Sequence, residues 1–183
     1  IVGLSRHRFS IEGSGSLRSR PMTMLEAVSH MGARCATTGG YPPVVVEGPL
    51  RGGALCVDGS ESSQFLTGLL MAVPLCKNDS QINVTNLKSK PYVLMTIDLL
   101  KRFGITIDHD EGLTSFSVKG NQHYTAQNLT IEGDWSGAAF PLVAGAIAGS
   151  VKVEGLRKDS FQADKAILEG LTRAGATVEA QET

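Results

Sequence analysis

The chain is short of the features that would point to a membrane, a metal or a nucleic acid. Its longest apolar runs, Phe65–Leu75 and Ala138–Gly149, fall well below the ~20 residues of a membrane span, and both read as buried helices. Three cysteines, Cys35, Cys56 and Cys76, stand far apart in the 183 residues. Their odd number argues against a disulfide framework and their spacing against a zinc site, which suits a reducing, cytosolic compartment. Charge of one sign is also lacking, since 17 basic and 18 acidic residues leave a net charge of −1. No basic excess is available for a nucleic acid or an anionic membrane, so an anion must be met by a local cluster. There is no complete Walker loop, no Gly-x-Gly-x-x-Gly after a strand and no Gly-x-Ser-x-Gly elbow. His7, His30, His109 and His123 are isolated, and each is expected to be solvated or capping. The first residues, Ile1-Val-Gly-Leu-Ser, run without an initiator methionine into a strand-like pattern. That start is expected of a chain taken from a longer protein.

What is present is an ordinary globular composition and a repeat. Apolar residues make up 42% and charged residues 19%, enough to bury a core and too little charge for disorder. Three strand-like runs each lead into a basic loop. Phe9–Gly13 precedes Leu17-Arg-Ser-Arg-Pro21, Ile82–Asn86 precedes Leu87-Lys-Ser-Lys-Pro91, and Val151–Gly155 precedes Leu156-Arg-Lys-Asp-Ser160. Ile11 to Val84 is 73 positions and Val84 to Val153 is 69, a period of the kind that marks a repeat architecture.

A helix with apolar residues at three- and four-residue spacing follows each loop, over Met22–Met31, Val93–Phe103 and Ala163–Ala174. Gly32, Gly104 and Gly175 end these helices as left-handed caps, and strands are expected after them at 33–35, 105–107 and 176–178. Two further strands complete the first two units, at Val44–Gly48 and Leu55–Asp58, then at Ser115–Val118 and Leu129–Glu132. Each pair runs through a small polar turn into an apolar helix, Gln64–Val73 and Gly137–Ala148. The unit is β-α-β-β-β-α, an α/β fold.

Two features converge on anion binding. Arg18 and Arg20, and Lys88 and Lys90, lie beside an incoming helix N-terminus, where backbone N–H groups and the helix dipole favour negative charge. Pro21 and Pro91 suit the first helical turn. Surface loops often carry such residues without function, and that is the reading for Arg157 and Lys158. The second feature is Asp58-Gly-Ser-Glu-Ser-Ser-Gln64, whose hydroxyls and amide crowd the start of an apolar helix. An N-cap needs one hydroxyl; Ser62, Ser63 and Gln64 together offer a neutral phosphate cradle as well. Asp134 reads as an N-cap and Trp135, the only tryptophan, as packing.

Val57–Leu66 resembles the signature of the 5-enolpyruvylshikimate-3-phosphate synthases, and Ser89-Lys-Pro-Tyr92 resembles that family's next substrate loop. Leu17–Met22 looks like its loop with a phosphoenolpyruvate-binding arginine, and Glu132-Gly-Asp-Trp-Ser136 like the crossover into its second half. The resemblance covers essentially the whole chain. It implies the repeated β-α-β-α-β-β fold of the enolpyruvyl transferases, an inverse α/β barrel type, here as about two and a half units. Residues 1–132 would belong to the N-terminal, shikimate 3-phosphate-binding half, and 133–183 would begin the C-terminal half.

The resemblance further implies that Ser62, Ser63, Gln64, Ser89 and Tyr92 hold shikimate 3-phosphate. Arg20 and Gln64 would reach phosphoenolpyruvate, the planar guanidinium suiting bidentate contact. No cofactor or metal is implied. The partners are the two substrates and the remaining segments of the same polypeptide, with a monomeric, cytoplasmic parent and no nucleic acid or membrane. The family's acid/base carboxylates and active-site lysines find no match in this chain, so substrate binding without turnover is expected of it alone. The related transferase acting on a UDP-aminosugar is the alternative, but it uses a mobile-loop cysteine. Cys35 and Cys56 sit in strand patterns and Cys76 follows a helix. A non-catalytic phosphate-ligand-binding module of the same fold is a further alternative.

Overall fold

The structure is a computed structural model and describes residues 1–60 and 63–180. It divides into two compact units, Ile1–Ala126 and Gln127–Thr183.

The first unit holds two sheets. Strands β1 (Arg8–Ile11), β2 (Arg34–Thr38) and β3 (Tyr41–Glu47) form one, in the order β1-β3-β2 with both pairings antiparallel. Gly39 and Gly40 join β2 to β3 at φ +61° and +85°, the double left-handed turn that matches the twist of a two-residue hairpin. Strands β4 (Ala54–Asp58), β5 (Ser80–Thr85), β6 (Asp108–His109) and β7 (Ser115–Val118) form the other, in the order β4-β5-β7-β6. The repeat is visible in the pairing. The strands β1, β2, β3 and β5, β6, β7 each follow the order first-third-second, and β4 lies parallel on the free side of β5.

Helices fill the gaps that the sequence period marks. Helix α1 (Ser63–Ala72) carries the chain from β4 to β5, and α2 (Lys90–Arg102) from β5 to β6. Leu66, Leu69 and Leu70 of α1 and Val93, Thr96 and Leu100 of α2 are buried, the i, i+3, i+4 and i+7 rows of an amphipathic helix. The leucines and Val93 meet Val57, Ile82, Val84, Phe116 and Val118 from the sheet in one core. Each fully buried side chain of this size contributes about 1.5–3 kcal/mol. Gly32, Gly104 and Gly175 have φ of +95°, +82° and +90°, so all three helix stops are left-handed as expected.

The first expected helix forms as a 3-10 helix, Thr23–Met31. Its N-cap, Met22, supplies no side-chain cap, and Ser, Thr, His and Val are modest α-helix formers, so the tighter winding prevails.

The second unit is sparser. It contains α3 (Trp135–Ala148), a 3-10 turn Ala163–Ala166 and α4 (Ile167–Arg173), the last two splitting the expected Ala163–Ala174 helix. Asp134 caps α3 as expected, accepting from the Ser136 and Gly137 backbone N–H groups at 3.0 and 3.1 Å. Trp135 is buried and donates from Nε1 to Arg157 O at 3.2 Å, so it packs as expected.

Four expected strands and the burial of one helix fail. Among the described residues, the expected strands at 105–107, 129–132, 151–155 and 176–178 are not assigned as strands. A strand exists only through a neighbour's hydrogen bonds, and apolar alternation alone does not supply one. In the first of these the pairing falls instead on Asp108–His109, opposite Phe116 and Ser117. Helix α3 is also not the buried helix expected, for Phe140 is 79% and Ile147 81% exposed. It is apolar on every face, and only its first turn, Trp135 and Ala138, is buried.

Candidate functional site

The site follows from the parallel pairing of β4 and β5. Strands β4 and β5 run side by side with Asp58 opposite Thr85, so both leave the sheet at the same edge. Helix α1 begins at Ser63 and α2 at Lys90, which sets two helix N-termini above that edge. Free backbone N–H groups at each terminus make such an edge an oxyanion position, and strand ends in open α/β sheets are where ligands gather.

The two loops are tied together. The Gly59 N–H donates to Thr85 O at 2.8 Å. Asn86 Nδ2 donates to Asp58 Oδ1 at 3.4 Å, and the Ser60 N–H donates to the same oxygen at 2.9 Å. A Cβ on Gly59 would lie 2.9 Å from Leu87 Cα, so the loops are in backbone contact. Asp58 is held below the ordinary aspartate range, first by the Ser60 backbone N–H and side chain, then by Asn86 and the charge of Lys88.

The expected site residues are distributed around this junction. Ser63 is half-buried and opens α1, with exposed Gln64 beside it. Ser62 lies outside the described residues. Ser89 is the N-cap position of α2, half-buried, and its side chain makes no capping bond. Tyr92 stands one turn into α2 and is 37% exposed. The structure therefore brings the Ser63–Gln64 and Ser89–Tyr92 pairs to one sheet edge, with Lys88 and Lys90 as the nearby cations in sequence.

Arg20 is exposed and follows the short 3-10 turn Gly15–Ser19. Its loop leads into Thr23–Met31, whose last carbonyl, Met31 O, accepts from the Arg51 N–H at 2.7 Å, just before β4 begins. That 3-10 helix packs on β4, and at its N-terminal end the Met22 N–H donates to Gly40 O at 2.7 Å. The Arg20 loop is thereby tied to the β2–β3 turn, and no contact joins Arg20 to the other expected residues among the described bonds. Arg18 is turned back on its own loop, with Nε donating to Gly13 O at 3.0 Å.

A cavity of about 340 Å3 sits at the opposite end of the sheet, lined by Gly53, Ala54, Asp79, Gln81, Ser117 and Lys119. Its polar groups are already matched. Lys119 pairs with Asp79 at 2.7 Å, and Gln81 is hydrogen-bonded to Ser115 and Ser117. It holds none of the expected residues, and the loop edge is the better chemical candidate because two helix N-termini meet there.

The cysteine-based alternative gains no support. Cys76 is buried with its thiol pushed up to about 11 by desolvation, and burial raises Cys35 within β2. Cys56 is exposed but lies inside β4. No group of metal ligands occurs among the described residues, and no helix there is long and apolar enough to cross a membrane. The parts played by Asp58, Gly59 and Asn86 escaped the sequence reading. Acid–glycine pairs also stand at Glu12-Gly13, Glu47-Gly48, Glu111-Gly112, Glu154-Gly155 and Glu169-Gly170, so the pairs at Asp58-Gly59 and Glu132-Gly133 carried no distinguishing signal.

Repeated α/β cassettes with two helix N-termini at the exits of parallel strands define a repeat-built α/β protein with a candidate oxyanion site. The particular family follows from comparison. All of residues 1–183 match the family described as EPSP synthase (3-phosphoshikimate 1-carboxyvinyltransferase), and the chain belongs to that family.

A 3-phosphoshikimate 1-carboxyvinyltransferase of Tolumonas auensis is 40% identical over 181 residues, covering 96% of this chain and 42% of its own length. One of Methanothrix thermoacetophila is 42% identical over 172 residues, covering 92% and 40%. The chain thus spans about two fifths of the length of these relatives. A solved structure of EPSP synthase from Acinetobacter baumannii covers 100% of this chain and 41% of its own, at TM-score 0.72 and 24% identity. The repeated α/β fold expected from the resemblance is therefore the fold observed.

Proposed function

We propose that this chain forms the shikimate 3-phosphate half-site of a 3-phosphoshikimate 1-carboxyvinyltransferase. The observation that carries the reading is the pairing of the Ser63 and Ser89 helix starts at the joined exits of β4 and β5. In this reading Ser62, Ser63 and Gln64 hold the phosphorylated substrate with Ser89 and Tyr92, and Arg20 and Gln64 meet phosphoenolpyruvate. Residues 1–132 are part of the first half of the enzyme and 133–183 open the second.

The reaction joins a hydroxyl oxygen of shikimate 3-phosphate, which gives up its proton, to C2 of phosphoenolpyruvate while C3 takes up a proton. Phosphate then leaves C2 as C3 gives up a proton, which restores the double bond in the enolpyruvyl ether. What this chain supplies is placement and neutralisation: helix N–H groups, serine hydroxyls and a guanidinium that favour the anionic substrate and the departing phosphate. The proton transfers belong to residues outside it. The whole enzyme works in the cytoplasm as a monomer on two small anions, without a cofactor.

The test is phosphate release from the two substrates. The chain alone should release none. Exchanged for the matching segment of the Tolumonas auensis relative, it should support turnover. A correctly folded chimera that binds neither substrate would remove the proposal.

A further inference from the structure

The ties between the two loops have a second copy. In the first unit Asp58 and Gly59 leave β4; Asp58 Oδ1 takes the Asn86 amide at 3.4 Å and the Gly59 N–H donates to Thr85 O at 2.8 Å. In the second unit Glu132 and Gly133 precede α3; Glu132 Oε1 takes the Ser160 hydroxyl at 3.0 Å and the Gly133 N–H donates to Gly155 O at 2.7 Å. Acid and partner are 28 residues apart in both, whereas glycine and acceptor are 26 apart in the first (59 to 85) and 22 in the second (133 to 155).

The packing is repeated as well. A Cβ on Gly59 would meet Leu87, and one on Gly133 would meet Gly155 O and Leu156 at 3.0 and 3.1 Å. Immediately before each leucine stands a left-handed residue, Asn86 at φ +54° and Gly155 at φ +82°. Glu132 Oε2 is buried with no hydrogen-bond partner among the described residues. Such a group costs stability and calls for a reason. The grip of its other oxygen on Ser160, itself 8% exposed, supplies one.

We propose that the acid–glycine pairs Asp58-Gly59 and Glu132-Gly133 are a repeated clasp between successive loops, and that the first copy makes Asp58 a positioning residue for the two-loop substrate site. The second part rests on the proposed function above. Glycine lets the strand exit touch the next loop, its N–H fixes the height of that loop, and the carboxylate fixes its direction. In the first unit the loop so held is the one that carries Ser89 and Tyr92. The carboxylate reaches the substrate through these groups and does not touch it.

The Gly59 amide is the reporter, because its own acceptor, Thr85 O, survives every variant named here. By amide exchange followed by NMR, Asn86→Ala should speed exchange at Gly59 about tenfold, the scale of one lost hydrogen bond, and leave Gly133 unchanged. Ser160→Ala should do the reverse. Unchanged exchange at the paired glycine, or an equal rise at both, overturns the clasp.

Positioning is read separately by calorimetric titration with shikimate 3-phosphate. Asp58→Ala should weaken binding about tenfold with a cooperative unfolding transition retained. Asp58→Asn, which keeps a carbonyl acceptor for the Ser60 N–H, should recover most of the loss. If Asp58→Ala does not fold, Asn86→Ala carries the same titration. Full affinity in a variant whose Gly59 exchange has risen overturns the positioning role. Failure of both the folded chain and its chimera with the longer relative to bind would sink the proposed function, and with it the positioning role; the exchange pattern would still decide the clasp.

Discussion

Substitution of Gly59 by alanine probes the joint between the two loops more directly than any other single methyl group. The added Cβ would lie 2.9 Å from Leu87 Cα, 3.0 Å from its Cδ1 and 3.3 Å from its Cβ. Ordinary carbon contacts sit at about 3.5–4.0 Å, so the loops must part by roughly 0.5–1 Å. The leucine side chain can rotate, but the Cα belongs to backbone that leads into α2 and cannot.

Overpacking of this kind costs about 1–3 kcal/mol, a sizeable share of the ~5–15 kcal/mol that holds a domain. In urea, with a slope of about 1–3 kcal/mol per molar, the unfolding midpoint should fall by roughly 1 M. The Gly59 N–H to Thr85 O bond of 2.8 Å would lengthen with it. Gly68→Ala is the matched control. Gly68 lies in α1 with nothing within 4 Å of the added Cβ, so alanine should stabilise by about 0.5–1 kcal/mol through helix propensity. Equal midpoints for the two variants would refute the contact argument.

Three further outcomes follow from other parts of the molecule. Asp134→Ala removes the acceptor for two N–H groups at the start of α3 and should cost about 0.5–2 kcal/mol, seen as reduced helicity by circular dichroism; no change would mean the cap is replaced. With a thiol reagent near pH 8, exposed Cys56 should react in the folded chain, whereas buried Cys76, its thiol raised to about 11, should react only on unfolding. A fast reaction at Cys76 would contradict its burial. Asp110 is held below the usual aspartate range, first by the Ser115 N–H and then by Thr114. A depressed folded value stabilises above the unfolded value of ~3.9 and loses that contribution as pH falls through the folded one. Asp110→Asn should therefore flatten the acid limb of stability below about pH 4, and an unchanged limb would refute the assignment.

The sequence was most informative where local chemistry and tertiary demand agree. Gly32, Gly104 and Gly175 were readable as helix stops because a left-handed cap is a local requirement, and their φ values meet it. The inward rows of α1 and α2 were readable from spacing alone. Strand pairing is a different matter. Leu129–Glu132 and Val151–Gly155 have the same alternation as Ile82–Thr85, yet only the last has neighbours on both sides. Burial of α3 was misread for a related reason, since an apolar helix is buried only if something covers it.

The candidate site was legible as two separate motifs, Ser62–Gln64 and Ser89–Tyr92. Their meeting was not, because it depends on the parallel register of Asp58 with Thr85 and on a contact between residues 28 apart. Ser160 gave no sequence signal as the partner of Glu132, because a serine in a polar loop usually bonds to water or to its own backbone.

The account's central claim is that the joined exits of β4 and β5 take shikimate 3-phosphate. Calorimetric titration of the chain with that compound, beside Ser63→Ala and Gln64→Ala, tests it most directly. The account predicts saturable binding with one site, weakened by each change about 10–100-fold, the loss expected for a hydrogen bond to a charged group. Binding of equal strength in all three proteins, or none in a folded chain and in its chimera with the longer relative, would contradict it.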